Sequence, residues 1–311
     1  MKKSLFLFGA IAIGIACPQG YGYAFLIRYL IMGILFCSLL NQDIDLKTAV
    51  NARLGVIVAM MMVVAGTTAW LGNWFSSDLA LAAFMTAMAP TAAAAPVMTQ
   101  LLKGRVDYVM SSVILTNCFA AITLPLVLPF ISPNQDIHID VAALLSTLMV
   151  VMLPLAIAQL LQCWVPQVVT ILLPVKKAGF YIWMAAIYLA VAKATHFIEV
   201  ESTATWNDIG AIALISLTIC ALNFGCGTWL GDRDWGQEMG QSLGQKNTLL
   251  SIWISLTFLT PAIALGPMFY IVFQNLYNAY LLAQAAKHDT SARLVIASEN
   301  VPEQIGQIPS Q

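Results

Sequence analysis

Apolar runs long enough to cross a lipid bilayer recur from one end of this sequence to the other. Of its 311 residues, 60% are hydrophobic and only 9% are charged, whereas a soluble domain carries about 25% charged residues. A transmembrane β-barrel would show short alternating segments instead of long apolar runs. The chain is therefore expected to be an all-α polytopic membrane protein embedded in a lipid bilayer. The predicted spans are approximately 4–17, 24–40, 54–72, 79–102, 108–131, 141–164, 179–196, 208–230, 237–260 and 267–286.

Positive charge on the connections predicts how these ten spans are oriented. If the N-terminus is cytoplasmic, all but three of the 14 Lys and Arg residues fall on the cytoplasmic side, as the positive-inside rule requires. The three exceptions are Arg28, Lys193 and Lys246. The sequence thus predicts a multi-pass protein of the cell (inner or plasma) membrane, with a transmembrane domain over 1–286, a polar cytoplasmic tail over 287–311 and both termini cytoplasmic.

The first 17 residues, MKKSLFLFGAIAIGIAC, allow two interpretations. A basic head, a short apolar core and small residues before Cys17 are typical of a signal peptide. The same segment can be a short first helix, and this is the favoured interpretation because no soluble exported domain follows. If the segment is removed, nine spans remain and the array loses its first helix.

Several functional classes do not fit this composition. A net charge of −1 provides no basic surface for nucleic acid. Charged residues are scattered over the loops rather than clustered for acid–base or nucleophilic chemistry, so an enzyme is not expected. The six cysteines lie in apolar runs without a C-x-x-C pair, so we predict no disulfide, metal site or other cofactor.

Ten spans divide into two sets of five with opposite orientation, which is the pattern of an inverted repeat. The predicted repeats cover 1–135 and 136–286. The fourth span of each set contains residues that disfavour a continuous helix, namely Pro90, Pro96, Gly240 and Gly244. Matching interruptions in two halves are the best sequence indication of a transport site. Kinked helices that serve only packing are the alternative.

Lys246 lies in the polar segment GQSLGQKNT in the middle of the ninth span. Helical rise places it about 13–15 Å inside the cytoplasmic end of that span. A cation at that depth is unfavourable in lipid, so the side chain is expected to face protein or a water-filled cavity. A lysine that reaches back to the cytoplasmic face is the alternative.

Three motifs resemble the bile acid:sodium symporter family, and the similarity covers nearly the whole chain. They are MAPTAAAAPVMTQLLKGRVDYVMSSV, GQKNTLLSIWISL and FQNLYNAYLLA. The resemblance implies a panel domain of helices 1, 2, 6 and 7 and a core domain of helices 3–5 and 8–10, in which helices 4 and 9 unwind and cross. It also implies transport of small organic anions, such as carboxylates or sulfonates, which most members couple to sodium.

The family's sodium ligands are replaced in this sequence. The family has a Ser-Asn pair in helix 4, hydroxyl residues in helix 5, and a Glu and a Gln in helix 9. The matching positions here are Ala95 and Pro96, Val109 and Val113, and Ser242 and Lys246. Aliphatic carbons and an ammonium cannot supply the oxygen ligands that sodium needs. We therefore expect the family's sodium sites to be absent.

The ammonium of Lys246 can take the place of the bound cation, because it can donate three hydrogen bonds. The candidate acceptors are Thr91, Ser242, Gln245 and backbone oxygens of the unwound parts of helices 4 and 9. Lys246 is then either a fixed cation, which gives sodium-independent uniport or exchange, or a group that gains and loses a proton, which gives proton coupling. A non-transporting membrane sensor or regulatory subunit is the alternative function, since a fold does not determine function.

Half-helix N-termini carry partial positive charge and free N–H groups, which suit an anionic cargo. Such amides are expected after Thr91 and around Asn247. The resemblance adds a polar pair in helix 10. The candidate substrate-binding residues are Thr91, Asn247, Thr248, Gln274 and Asn275. Interhelical hydrogen bonding is an equally good explanation for any one polar residue in these spans, including Thr116 and Asn117.

Overall fold

A computed structural model describes residues 2–40, 52–131, 141–201 and 205–299, and its regular elements in these ranges are helical. The predicted connections at 41–51 and 132–140 lie outside the described residues. The α-helices are α1 (Lys2–Ala16), α2 (Ile27–Leu39), α3 (Ala52–Gly72), α4 (Ser77–Ala87), α5 (Ala95–Leu101), α6 (Val106–Ile131), α7 (Val141–Trp164), α8 (Pro166–Leu172), α9 (Ala178–His196), α10 (Trp206–Leu230), α11 (Asp232–Gly244), α12 (Thr248–Phe258) and α13 (Pro261–Glu299). Short 3-10 turns at Pro18–Leu26 and Leu173–Lys177 and a π turn at Phe197–Glu201 adjoin them.

Six helical segments among the described residues are long and apolar enough to cross a membrane. In the most apolar window of each segment, between 28% and 39% of the residues are buried inside the protein. Most of the remaining side chains therefore face outward, as they do on a helix in contact with lipid. The chain is a multi-pass helical membrane protein. The six segments are Pro18–Leu39, Ala52–Gly72, Val106–Ile131, Leu145–Trp164, Ala178–Val200 and Trp206–Leu230.

The other four predicted spans differ from these six in length or continuity. The first corresponds to α1, which has 15 residues, and the tenth to α13. The fourth and the ninth are each divided into two shorter helices, α4 with α5 and α11 with α12. The total of ten spans and the inverted repeat remain predictions.

Two segments outside the predicted spans are also helical. The connection PQVVTILLPVKK contains α8, which begins at Pro166. The N–H groups of the first helical turn have no partner within the helix, so a proline, which lacks an N–H, costs no hydrogen bond there. Helix α13 continues beyond the predicted end of the tenth span, because no glycine or proline follows Pro267 within it. The predicted tail is thus helical as far as Glu299, and 300–311 lie outside the described residues.

The helices pack in two sets. In one set α9 contacts α1 and α2, and α2 also contacts α7. In the other set α3 packs on α4, α10 packs on α11, and α13 packs on α4, α10 and α12. Helix α6 adjoins both, with contacts to α7 on one side and to α5 and α11 on the other. The two divided spans lie in the second set, and the polar residues of their interruptions come together there.

Candidate functional site

The fourth span is interrupted between α4 and α5. Helix α4 starts with Ser76 as its N-cap, whose hydroxyl accepts a hydrogen bond from Leu79 N at 3.1 Å, and it ends at Ala87. Pro90 follows shortly after, and a proline disfavours helical backbone at the preceding residue and has no N–H to continue the ladder. Pro96 instead lies in the first turn of α5, where a proline is compatible with the helix.

The ninth span is interrupted between α11 and α12. Helix α11 ends at Gly244, and Gln245 is extended, with φ −88° and ψ 101°. A Cβ on Gly244 would overlap the ring of Phe224, so this position requires a glycine for close packing. The prediction that Gly240 also breaks the helix is wrong. Gly240 lies inside α11, and its missing side chain makes room for the Thr228 hydroxyl, which a Cβ would approach to 2.6 Å.

The two interruptions cross each other as a short piece of antiparallel β-type pairing centred on Thr91 and Lys246. Ala92 N donates to Gln245 O at 2.7 Å, and Asn247 N donates to Pro90 O at 2.6 Å. Backbone groups inside a membrane must find partners within the protein. We call Pro90–Ala92 with Gln245–Asn247 the crossing.

Lys246 is buried in the crossing, with 2% of its surface exposed. Its Nζ donates a hydrogen bond to Ala87 O at 3.0 Å. Ala87 is the last residue of α4, and carbonyls at a helix C-terminus lack helical partners and carry partial negative charge. The ammonium thus caps the end of α4 from the opposite span, and among the described residues no carboxylate pairs with it.

The acceptor used by Lys246 corrects part of the sequence prediction. The ammonium donates to the carbonyl of Ala87 at the end of α4, and not to Thr91, Ser242, Gln245 or a backbone oxygen of the unwound segments. The Thr91 hydroxyl donates instead to Ser242 O at 2.6 Å. The side-chain oxygens of Gln241, Ser242 and Gln245 are buried and have no hydrogen-bond partner among the described residues.

Helix α13 holds the main chain of Lys246 in place. Lys246 N donates to Gln274 Oε1 at 2.8 Å, and Gln274 Nε2 donates back to Lys246 O at 3.4 Å. Tyr270, one turn earlier, donates to Gly244 O at 2.7 Å. Asn275 donates within its own helix, to Ile271 O. Of the predicted pair in helix 10, the structure therefore joins Gln274 to the crossing and leaves Asn275 in an intrahelical contact.

Helix α6 supports the crossing from the other side. Thr91 N donates to Thr116 Oγ1 at 2.9 Å, and Thr91 Oγ1 lies 3.0 Å from Ser112 Oγ. Asn117 Nδ2 donates to Thr91 O at 2.9 Å, and Asn117 Oδ1 accepts from Asn247 Nδ2 at 3.0 Å. Sequence reasoning did not single out Ser112. The available signal was that Ser112 lies four and five residues before Thr116 and Asn117, which places the three polar side chains on the same side of α6.

The positions matched to the family's sodium ligands in helices 4 and 5 are buried and aliphatic here. Ala95, Val109 and Val113 are at most 1% exposed, and Pro96 is also buried. None of these side chains offers an oxygen, and the two matched positions in the ninth span hold the single hydroxyl of Ser242 and the Lys246 ammonium. The residues present therefore do not fit a sodium ion at the matched positions.

A narrow cleft lies between α2, α6 and α7, and one of its lining residues, Asn117, bonds to Thr91 and Asn247 of the crossing. Its cavity volume is about 10 Å³, and its lining residues are Leu35, Leu39, Val113, Ile114, Asn117, Cys118, Val151 and Leu155. Pockets for drug-sized ligands are larger, about 300–1,000 Å³. Beside it, Ser38 of α2 donates to Ala93 O at 3.1 Å, next to the crossing. The two sets of helices are thus close together on this side.

The sequence profile of the Sodium Bile acid symporter family matches residues 45–200, which is half of the chain. This confirms the resemblance noted from the motifs. The matched range contains the interruption of the fourth span and ends before the ninth span, so it does not bear on Lys246. No individual curated protein matches the chain.

Proposed function

Because this chain belongs to the sodium bile acid symporter family, whose members are membrane transporters rather than enzymes, we propose that it carries a small organic anion without sodium, with Lys246 in place of a bound cation. The observation that carries this proposal is the hydrogen bond from Lys246 Nζ to Ala87 O at the crossing. In transporters with broken helices, half-helix C-terminal ends and unwound carbonyls hold the coupling cation. Here a covalently attached ammonium makes that contact.

The replaced residues support the same conclusion. A sodium ion needs several oxygen ligands, and the matched positions in helices 4 and 5 supply aliphatic carbons. A second cation close to the ammonium would also be repelled, and repulsion is strong where water is scarce. A fixed cation that remains in the protein needs no ion gradient to be loaded.

The cargo we propose is an anion, a carboxylate or a sulfonate. Helix α12 begins at Thr248 in the crossing, and its N-cap residue Asn247 makes no side-chain cap bond. The first-turn N–H groups therefore have no cap from Asn247, and in this proposal the anion pairs with them and with the positive end of the helix. The Lys246 charge one residue away from Asn247 adds to this positive potential.

Movement of the cargo would follow the division of the helices into two sets. We propose that α1, α2, α7 and α9 form the panel, and that the remaining spans form the core that carries the crossing. The cleft between α2, α6 and α7 would widen as the sets move apart, and the Ser38–Ala93 hydrogen bond would break. Alternating access of this kind is largely a rigid-body motion around a fixed site.

The cleft volume favours one other function. A cleft of about 10 Å³ is too small for an organic anion such as a bile acid. A membrane sensor that keeps the fold and does not transport would need no larger opening.

Uptake of labelled carboxylates and sulfonates into proteoliposomes tests the proposal. With external sodium replaced by potassium, the initial rate is expected to stay the same, because no sodium ion has to bind. Strict sodium dependence would contradict the proposal. Stimulation by an inward proton gradient would indicate proton coupling, and an unchanged rate would indicate uniport or exchange. Binding of the same anions without uptake or counterflow would indicate the sensor.

A further inference from the structure

We infer that Asn117 is a positioning residue that sets the affinity for the cargo by holding Asn247 and the interruption of the fourth span in register. This inference rests on the proposed function, because it concerns the same site. Neither the family match nor the replaced sodium ligands identify Asn117.

Both polar atoms of the Asn117 side-chain amide have hydrogen-bond partners. Its Nδ2 donates to Thr91 O at 2.9 Å and to Val113 O at 2.8 Å, and its Oδ1 accepts from Asn247 Nδ2 at 3.0 Å. One of these bonds stays within α6, one reaches the fourth span and one reaches the ninth. Asn117 is 2% exposed, and a buried amide with both ends engaged has one orientation.

The bond to Asn247 determines which way that side chain points. Asn247 is the N-cap residue of α12, and an N-cap side chain ordinarily turns back onto the amides of its own helix. Here it turns to Asn117 instead and makes no cap bond. The interaction therefore keeps the Asn247 side chain away from the first-turn amides of α12, with which the proposed cargo would pair.

Asn117 also lines the cleft between α2, α6 and α7, and the other residues that line it are apolar or a thiol. It thus connects the route of the cargo to both interruptions. Loss of its amide would let Asn247 swing onto α12 and compete with the cargo. We expect the loss of this amide to weaken cargo binding more than it slows the movement of the two sets of helices, because the hydrogen bonds of Asn117 do not connect the two sets.

A double-mutant cycle on Asn117 and Asn247 in proteoliposomes tests the inference. Asn117→Ala is expected to raise the apparent KM for the transported anion about tenfold, with a smaller change in the maximal rate. In the Asn247→Ala background, Asn117→Ala is expected to add little to KM, because the side chain that it positions is gone. Ser111→Ala is the control on the same helix, since the Ser111 hydroxyl bonds only within α6, to Asp107 O.

The same four proteins are compared by apparent melting temperature in detergent, which needs no transport. Asn117→Ala and Asn247→Ala are each expected to lower it by about 3 °C, and the double variant by less than the sum. Additive effects on melting, or a fall in maximal rate with unchanged KM, would overturn the inference. If Asn117→Ala does not fold, Asn247→Ala removes the same bond from a half-buried position. If the wild-type chain transports nothing, the proposed function fails, and the melting cycle still decides whether the two amides are coupled.

Discussion

The two interrupted spans meet at one crossing, but they contribute different chemistry to it. The fourth span supplies main-chain atoms: Ala87 O, Pro90 O and Thr91 O all accept hydrogen bonds from other spans. The ninth span supplies the charge and the polar side chains, from Lys246 and Asn247. The fourth span thus contributes carbonyl dipoles that a side-chain substitution cannot remove, whereas the side chains of the ninth span can be changed by mutation. A substitution in the ninth span can therefore change the charge of the site while leaving its frame intact.

The two interruptions are also supported differently. The fourth span rests on side chains of α6, through Thr116 and Asn117. The ninth span rests on α13 through Gln274 and Tyr270. In addition, its first half, α11, packs on α10 at glycine contacts, where main chain lies directly on main chain. The support of the fourth span is polar, and that of the ninth is partly steric, so different substitutions should weaken them.

Removal of the charge that the ninth span contributes should have the largest effect. Lys246→Ala is expected to abolish transport while the protein remains inserted and folded, because the carbonyl end of α4 loses its only cationic partner among the described residues. Uptake into proteoliposomes measures the loss, and size-exclusion chromatography in detergent checks the fold. Arg233→Ala is the matched control, since Arg233 is an exposed cation in the first turn of α11. Transport by Lys246→Ala at the wild-type rate would remove the fixed-cation mechanism.

Crowding the glycine contact under the ninth span should have the next largest effect. A Cβ on Gly227 of α10 would lie 2.5 Å from Met239 O and 2.8 Å from Gly240 Cα. Gly227→Ala must therefore push α11 away from α10, at a cost of about 1–3 kcal/mol in stability. The apparent melting temperature of Gly227→Ala in detergent measures this loss of stability.

Gly225 provides the control for that substitution two residues earlier in the same helix. A Cβ there meets nothing within 4 Å, so Gly225→Ala should leave the melting temperature unchanged or raise it slightly, because alanine favours helix. Equal destabilisation by both substitutions would mean that helix content, and not the close contact of α10 with α11, limits stability.

Several of the features that these substitutions test could be predicted from the sequence. The positions of the spans follow from apolar runs, which are a strong signal because lipid leaves few alternatives to a helix. The interruption of the fourth span is encoded locally by Pro90, whose effect on the chain needs no tertiary context. The burial of Lys246 follows from its depth in an apolar span.

The remaining features depend on contacts between distant parts of the chain. Glycine in a membrane helix can either break the helix or allow close packing, and Gly240 does the second because Thr228 lies against it. Which carbonyl receives the Lys246 ammonium depends on the register of the two crossing segments. The role of Asn117 depends on the approach of Asn247 from another span. None of these choices leaves a local pattern in the sequence.

Removal of a hydroxyl from the fourth span should have the smallest of the three effects. Thr91→Val keeps the shape of the side chain and removes the hydrogen bonds to Ser242 O and Ser112 Oγ, both of which join different spans. The expected loss is about 1 kcal/mol, because interhelical hydrogen bonds in membranes are individually weak. Thr99→Val is the matched control, since the Thr99 hydroxyl is equally buried and bonds only within α5, to Ala95 O.

If the fourth span contributes mainly main-chain atoms, Thr91→Val should lower the melting temperature slightly more than Thr99→Val and leave transport measurable. Complete loss of transport in Thr91→Val would mean that a side chain of the fourth span is as necessary as Lys246, and the division of labour between the two interruptions would be wrong.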